Sequence, residues 1–207
     1  MLTFKTCIMK KSNNLFFFGL FFILYISCSP ESHQELPQYN PVVYSENFQK
    51  IISNDFDENQ FTHYIEAGSK KWFPNKDNRK NGYYEFSPFN SNETLNVAWI
   101  VLPPINLDLA TAKRLTFKCA QHHVINSEHN DLKLFVSLNF NGNVSEAKWT
   151  ELDFKKPEAN SQNYLWITSG IVDLSPFSGM IHIAFKVNGG SASTNAGAYM
   201  IDDIKVF

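Results

Sequence analysis

Leu132, Leu134, Val136, Leu138 and Phe140 place an apolar side chain at every second position of one stretch. Side chains of an extended strand alternate between two faces, so the row predicts a strand with one face buried. Ile181, Ile183, Phe185 and Val187 repeat the pattern and end at Asn188-Gly189-Gly190. Asn141-Gly142, after the first row, is a hairpin signal, with 149–154 as the expected partner strand. Shorter extended stretches are expected at 42–48, 83–89, 99–102 and 115–120. Residues 49–60 read as a helical turn or a loop, and 61–82 as irregular. No long amphipathic helix separates these stretches, which argues against βαβ units. The expected fold is all-β, an antiparallel two-sheet sandwich of jelly-roll type. Aromatic residues at 15%, with 19 Phe among 207 residues, agree with a β-rich chain.

The last ten residues, from Ala198 to Phe207, read as the closing strand. Met200, Ile204 and Val206 make one face apolar, and strict alternation puts Asp202 in the same row. A carboxylate there is costly unless it is hydrogen-bonded, paired or bound to a metal. Asp203 is the reserve ligand, with alternation pointing it outward.

Lys5, Lys10 and Lys11 precede an uncharged apolar run over 15–26 that stops at Ser27-Cys28-Ser29-Pro30. A basic start and an apolar stretch of this length make an export signal; a membrane span needs roughly 20 residues. Leu24-Tyr25-Ile26-Ser27-Cys28 resembles a bacterial lipobox, with Tyr25 departing from the usual Leu or Val. The expected organisation is a lipoprotein signal at 1–27, a polar, proline-containing tether at 28–42 starting from a lipidated Cys28, and a sandwich domain at 43–207. The alternative is an ordinary cleaved signal with a chance cysteine. Cys7 would leave with the signal, so Cys119 stands without a bridging partner and reads as a buried core thiol. Loss of the three early lysines leaves 15 Lys and Arg against 20 Asp and Glu, a net of −5. That balance argues against nucleic acid or an anionic bilayer surface as the main partner, and no nucleic-acid partner is expected.

Six pieces in order carry a resemblance: Trp99 to Leu107, Leu115 to Lys118, Leu132 to Ser137, Lys148 to Thr150, Ile183 to Lys186 and Tyr199 to Val206. Together they resemble the choice-of-anchor J and cleaved-adhesin type domains, common in lipoproteins of Bacteroidetes and related to MAM-like and galactose-binding-like jelly rolls. The stretch 61–82 departs from that pattern, since Trp72 is its only tryptophan. The resemblance implies a non-catalytic adhesion or glycan-binding module at the outer membrane, on its periplasmic face or the cell surface. It also implies a structural Ca²⁺ held between Glu46 and Asp202, and Ca²⁺ takes hard oxygen ligands of this kind.

For sugar recognition the useful groups are aromatic rings that stack on sugar faces, beside polar groups that bind hydroxyls. Trp72, Tyr83 and Tyr84, with Asp77 and Arg79, supply both types, whereas Trp99, Trp149 and Trp166 sit among apolar or strand neighbours and read as core. His122, His123 and His129 read as a solvated loop rather than a metal site, because adjacent strand histidines face opposite ways. Ser145 and Lys148 match a Ser-x-x-Lys spacing without the partner motifs that catalysis needs, and no nucleophile elbow, phosphate loop or His-Glu-x-x-His occurs. The sequence thus points to a non-enzymatic envelope lipoprotein that binds a glycan. The rivals are an assembly lipoprotein with an envelope or host protein partner and, more remotely, a hydrolase.

Overall fold

The computed structural model describes residues 40–207. Its strands are β1 (Tyr44–Glu46), β2 (Thr62–Ala67), β3 (Phe73–Lys76), β4 (Gly82–Phe86), β5 (Asn96–Val101), β6 (Ile105–Asn106), β7 (Arg114–His122), β8 (Asp131–Ser137), β9 (Thr150–Leu152), β10 (Ile167–Thr168), β11 (Val172–Asp173), β12 (Met180–Gly189) and β13 (Ala198–Val206). One sheet runs β2-β5-β12-β8-β9, with β6 beside the start of β12. The other runs β10-β7-β13-β4-β3, with β11 beside β7 and β1 beside the end of β13. The chain is therefore the antiparallel two-sheet sandwich that its alternation predicts.

The two clean apolar rows lie next to each other, since Ile183 pairs with Val136 and Phe185 with Leu134. Their buried side chains meet Leu115, Phe117 and Cys119 of β7 across the sandwich. Each fully buried Phe or Leu in that core contributes roughly 1.5–3 kcal/mol from removal of apolar surface from water. Cys119 is buried there as expected, and burial pushes its thiol up to about 12.

Three expectations need correction. Residues 61–82 are not irregular: they hold β2 and β3, the edge strands of the two sheets. Edge strands face solvent more than central ones, so their sequences lack a clean apolar row. Pro74 fits in β3 for the same reason, because an edge position tolerates a missing N–H. Next, β8 and β9 do pair, Leu134 with Leu152 and Val136 with Thr150, but not through a tight Asn141-Gly142 turn. The connection over 138–149 instead folds back on the sheet, where Trp149 Nε1 donates to the Val144 carbonyl at 3.0 Å.

The third correction concerns β13. Its register with β7 shifts between Asp202 and Lys205, and Asp203 has a φ of +49°. Such a bulge adds one residue and reverses the alternation beyond it. Tyr199 and Ile201 therefore share the core with Ile204 and Val206, while Met200 packs on the outer face with Tyr83 and Ala120. Asp202 follows the row of Met200 and never enters the core. The expected signal segment, Cys28 and most of the tether lie outside the described residues.

Candidate ligand-binding site

Tyr83-Tyr84-Glu85-Phe86 turns its members alternately in and out. Tyr84 and Phe86 enter the core, whereas Tyr83 joins the outer cluster. Alternation then puts Glu85 on the outer face as well. Tyr83 meets the edge of Trp166, their ring centroids 5.6 Å apart, and burial raises its hydroxyl to about 12. Glu85 is buried but not bare: Asn75 Nδ2 donates to its Oε2 at 2.8 Å, and His122 Nε2 lies 3.2 Å from its Oε1.

His122 ends β7 and His123 follows at a φ of +58°. That left-handed step breaks the strand rule of opposite faces and brings the two Nδ1 atoms to 2.9 Å. The histidines are thus more than a solvated loop, because His122 belongs to a polar network on the sheet. No group of three or more His, Cys, Asp or Glu suited to a metal occurs among the described residues.

Over this network lies the segment that ends in Trp166. Tyr164 N donates to the Gln121 carbonyl at 2.8 Å, and Asn163 Oδ1 accepts from His123 N at 2.8 Å. Tyr164 has a φ of +61°, a conformation costly for a bulky side chain, and its ring is stacked on His122 at 4.7 Å and 21°. Its side chain is still 55% exposed. A half-exposed aromatic ring held at a backbone cost is a feature of recognition surfaces as much as of packing. Beside it opens a cleft of about 420 Å³ lined by Phe89, His122, His123, Ile125 and Ser193. Three loops build the cleft, those that follow β4, β7 and β12.

Trp72 and Tyr84 do not belong to this surface. Trp72 is fully buried, donates from Nε1 to the Ala98 carbonyl at 3.2 Å and packs near Phe86. Tyr84 is fully buried against Phe48, with centroids 5.2 Å apart. Both are corrected from sugar platforms to core residues, since their positions on or beside the sheet face inward. Asp77 accepts from Arg79 N at 2.8 Å and Asn81 N at 2.9 Å, so it shapes the β3–β4 turn, where Arg79 is exposed. That turn lies at the far end of β4 from Phe86, apart from the cleft. Of the expected binding residues only Tyr83 lies in the outer patch, and Trp166, expected in the core, lies there with it. Glu85 shares the face of Tyr83 and was legible from alternation; nothing local marks Tyr164.

The acids expected to hold a metal sit elsewhere on the same sheet. β4 pairs with β13 up to Ile201, and β1 takes over from Ile204, so Glu46, Gly82 and Asp202 border one break in the edge. Gly82 fits there because a Cβ would lie 2.2 Å from the Phe48 carbonyl oxygen. Asp202 is 3% exposed and accepts from Asn81 Nδ2 at 2.9 Å and Asp203 N at 2.6 Å. Lys118, opposite it in register, gives its ammonium to Asp203 instead, at 2.6 Å. Burial therefore raises the Asp202 carboxyl to about 6, against the opposing pull of the Asn81 and Asp203 hydrogen bonds. Glu46 turns one oxygen to Phe48 N at 2.6 Å.

No protein-family model matches the chain, and no curated protein matches it in sequence. Solved structures do match in fold. The K1 cleaved adhesin domain of Lys-gingipain from Porphyromonas gingivalis is 13% identical, with 79% of this chain and 96% of that one covered at a TM-score of 0.50. The K3 domain of the same protein is 14% identical, with 81% and 98% covered at 0.50. A xylan-binding domain from Paenibacillus barcinonensis is a looser likeness, 10% identical, with 79% and 98% covered at 0.44.

Proposed function

We propose that this chain, which has the fold of the cleaved adhesin domains, is a non-catalytic glycan-binding or adhesion module of the bacterial outer membrane, anchored through a lipidated Cys28. The observation that carries the glycan reading is Tyr164, exposed, held at positive φ and stacked on His122. A pyranose ring lays its C–H face on such an aromatic surface. Its hydroxyls then need fixed donors and acceptors, and His122, held in place by the buried Glu85, lines the cleft beside the ring. Tyr83 and Trp166 form the floor beside them.

The same reading includes a Ca²⁺ at the break in the pairing along β13, between Glu46 and Asp202. Asp202 is a buried carboxylate whose nearest ammonium is taken by Asp203, and Glu46 is the second acid at the break, while Asn81 turns its Nδ2 to Asp202 and its Oδ1 to Gln49. A pair of carboxylates suits Ca²⁺ rather than zinc, which prefers nitrogen and sulfur ligands. The ion would neutralise Asp202 and tie the first strand to the last; the residues named do the rest, with Asp202 as the central ligand.

The test is a glycan and polysaccharide binding screen, run with calcium and again with chelator. Binding that falls about tenfold or more in Tyr164→Ala, with the fold retained, supports the site. Binding unchanged in that variant overturns it. The rival reading has its own support in Phe89 and Ile125, exposed beside the cleft, which suit an apolar side chain of a protein partner. Failure of every sugar, with capture of an envelope protein that Phe89→Asp abolishes, establishes that rival.

A further inference from the structure

β12 runs from Met180 to Gly189, and the loop that lines the cleft follows Gly189. Met180 therefore marks the opposite end of the sandwich. Leu138 reaches the same end, one residue beyond Ser137, which pairs with His182. Leu109 is there too: β6 pairs with Met180 and Ile181, and the turn after it is fastened by Gly179 N to Asp108 Oδ1 at 2.9 Å. Leu109 is 65% exposed, Leu138 56% and Met180 50%. Phe177 lies beside Leu138, sharing with it and Lys148 a depression of about 300 Å³, and stands three residues before Met180. Lys113 reaches over it, its ammonium 3.0 Å from the Phe177 carbonyl. The result is an apolar group, Leu109, Met180, Phe177 and Leu138, with Lys148 beside it.

The chain enters the domain at this same end. Asn40 Oδ1 accepts from Thr111 Oγ1 at 3.3 Å, and Val43 N donates to the Val206 carbonyl at 2.8 Å. Cys28 stands twelve residues before Asn40, a reach of at most about 40 Å when fully extended. A lipid on Cys28 would keep this end, and not the cleft, nearest the bilayer. We infer that the apolar group around Leu109 and Met180 rests on the lipid surface, apolar side chains in the interface and Lys148 among the headgroups, so that the cleft lined by His122 and Ile125 faces away from the membrane. The inference rests on the lipid-anchor reading above. Apolar groups beside a lysine suit a lipid interface, where stems enter the apolar layer and ammonium groups stay wet. The net negative chain has no need to bind lipid by itself: the anchor supplies the affinity, and the apolar group sets the orientation.

The experiment uses the full chain in phosphatidylcholine vesicles with brominated acyl chains. Leu109→Trp and Ile125→Trp are compared by difference emission against the unsubstituted chain; both positions are exposed, so neither substitution disturbs the core. The expected result is quenching of the added indole by about twofold in Leu109→Trp and none in Ile125→Trp. Equal quenching in both, or none in either, overturns the inference. Mass spectrometry of Cys28 reports on the anchor separately. If Cys28 carries no lipid, the anchor reading has failed. In a Cys7→Ser chain its thiol is then coupled to a maleimide lipid, which the buried Cys119 does not compete for, and the same comparison still decides how the domain sits.

Discussion

On the outer face of the sheet centred on β12, Trp99 packs against Phe135 at 4.9 Å and Trp149 at 5.4 Å, and Phe140 closes over Trp149 at 5.6 Å. On the outer face of the other sheet, Tyr83 and Trp166 meet at a similar 5.6 Å, yet the neighbouring Tyr164 is left exposed over a carboxylate–histidine network. The two faces use the same kind of side chain. They differ in what covers them and in how their charges are matched. The first is roofed by its own 138–149 connection, and its acids are paired: Glu66 is held by Lys186 at 2.8 Å and by Trp99 Nε1 at 2.6 Å, and Glu151 by Lys133 at 3.2 Å. The second leaves Asp202 buried without an ammonium of its own. Packing that is complete and charge that is paired make a structural face. Packing left open and charge left unmatched are costs that folding alone does not explain, and they point to ligands.

The largest effect expected from this contrast is on stability. Trp99→Ala removes the centre of the roofed cluster and lowers unfolding free energy by about 3–5 kcal/mol, read from denaturant melts. Ligand binding at the other face should survive wherever the variant folds; its loss would mean that the two faces are not separable. Asp202 comes next. Its carboxyl titrates near 6 in the fold and near 3.9 when unfolded, so the folded chain binds the extra proton between those values. Stability from this group is thus full below about pH 4 and falls as pH rises through 6, by an order of 2 kcal/mol at pH 7. Calcium should restore it at pH 7 and act weakly at pH 5, where the proton competes. Asp202→Asn should raise metal-free stability at pH 7 and abolish both the pH step and the calcium response. A calcium response that persists in that variant would move the metal elsewhere. Smaller again is Tyr164→Ala, expected to weaken ligand binding about tenfold while stability stays within about 0.5 kcal/mol. A melt lowered by several kcal/mol would instead make Tyr164 a packing residue like Trp99.

How much of this was readable from the residues follows from which forces act locally. β8 and β12 were legible because one buried face imposes a two-residue period that nothing else produces. β2 and β3 were not, because an edge strand hydrogen-bonds on one side only and its polar residues carry no period. In β13 the period itself misled. The bulge at Asp202 and Asp203 reverses parity, so Tyr199 and Ile201 pack with Ile204 while Met200 faces outward, and no side-chain pattern announces a backbone insertion. The acid was still picked out as costly, for burial on the outer face rather than in the core. Trp72 was misplaced because an indole serves equally as a sugar platform and as a core plug; the Ala98 carbonyl that receives its N–H settles which. Tyr164 could not be found at all, since its position depends on the Gln121 carbonyl 43 residues away in sequence.

Lys186→Met tests the roofed face at its rim, with the smallest effect of the set. The Lys186 ammonium lies 4.8 Å from the Trp99 ring centroid and pairs with Glu66. Burial pushes the Glu66 carboxyl up, but its hydrogen bonds from Lys186 and Trp99 outweigh this and hold it below the usual range. Loss of the cation removes the ring contact and one of the two donors, while methionine keeps most of the apolar stem over the indole. The expected cost is about 1 kcal/mol or less, since both partners reach solvent, and it should shrink in high salt where exposed pairs are screened. The sign of the Glu66 shift makes the variant sharper: with Lys186 gone its carboxyl titrates higher, so the deficit against the parent chain should close as pH falls through the acid range. A deficit of several kcal/mol, independent of salt and pH, would show that the pair is buried in function if not in area, and the second face would then no longer be the only one carrying a demanding charge.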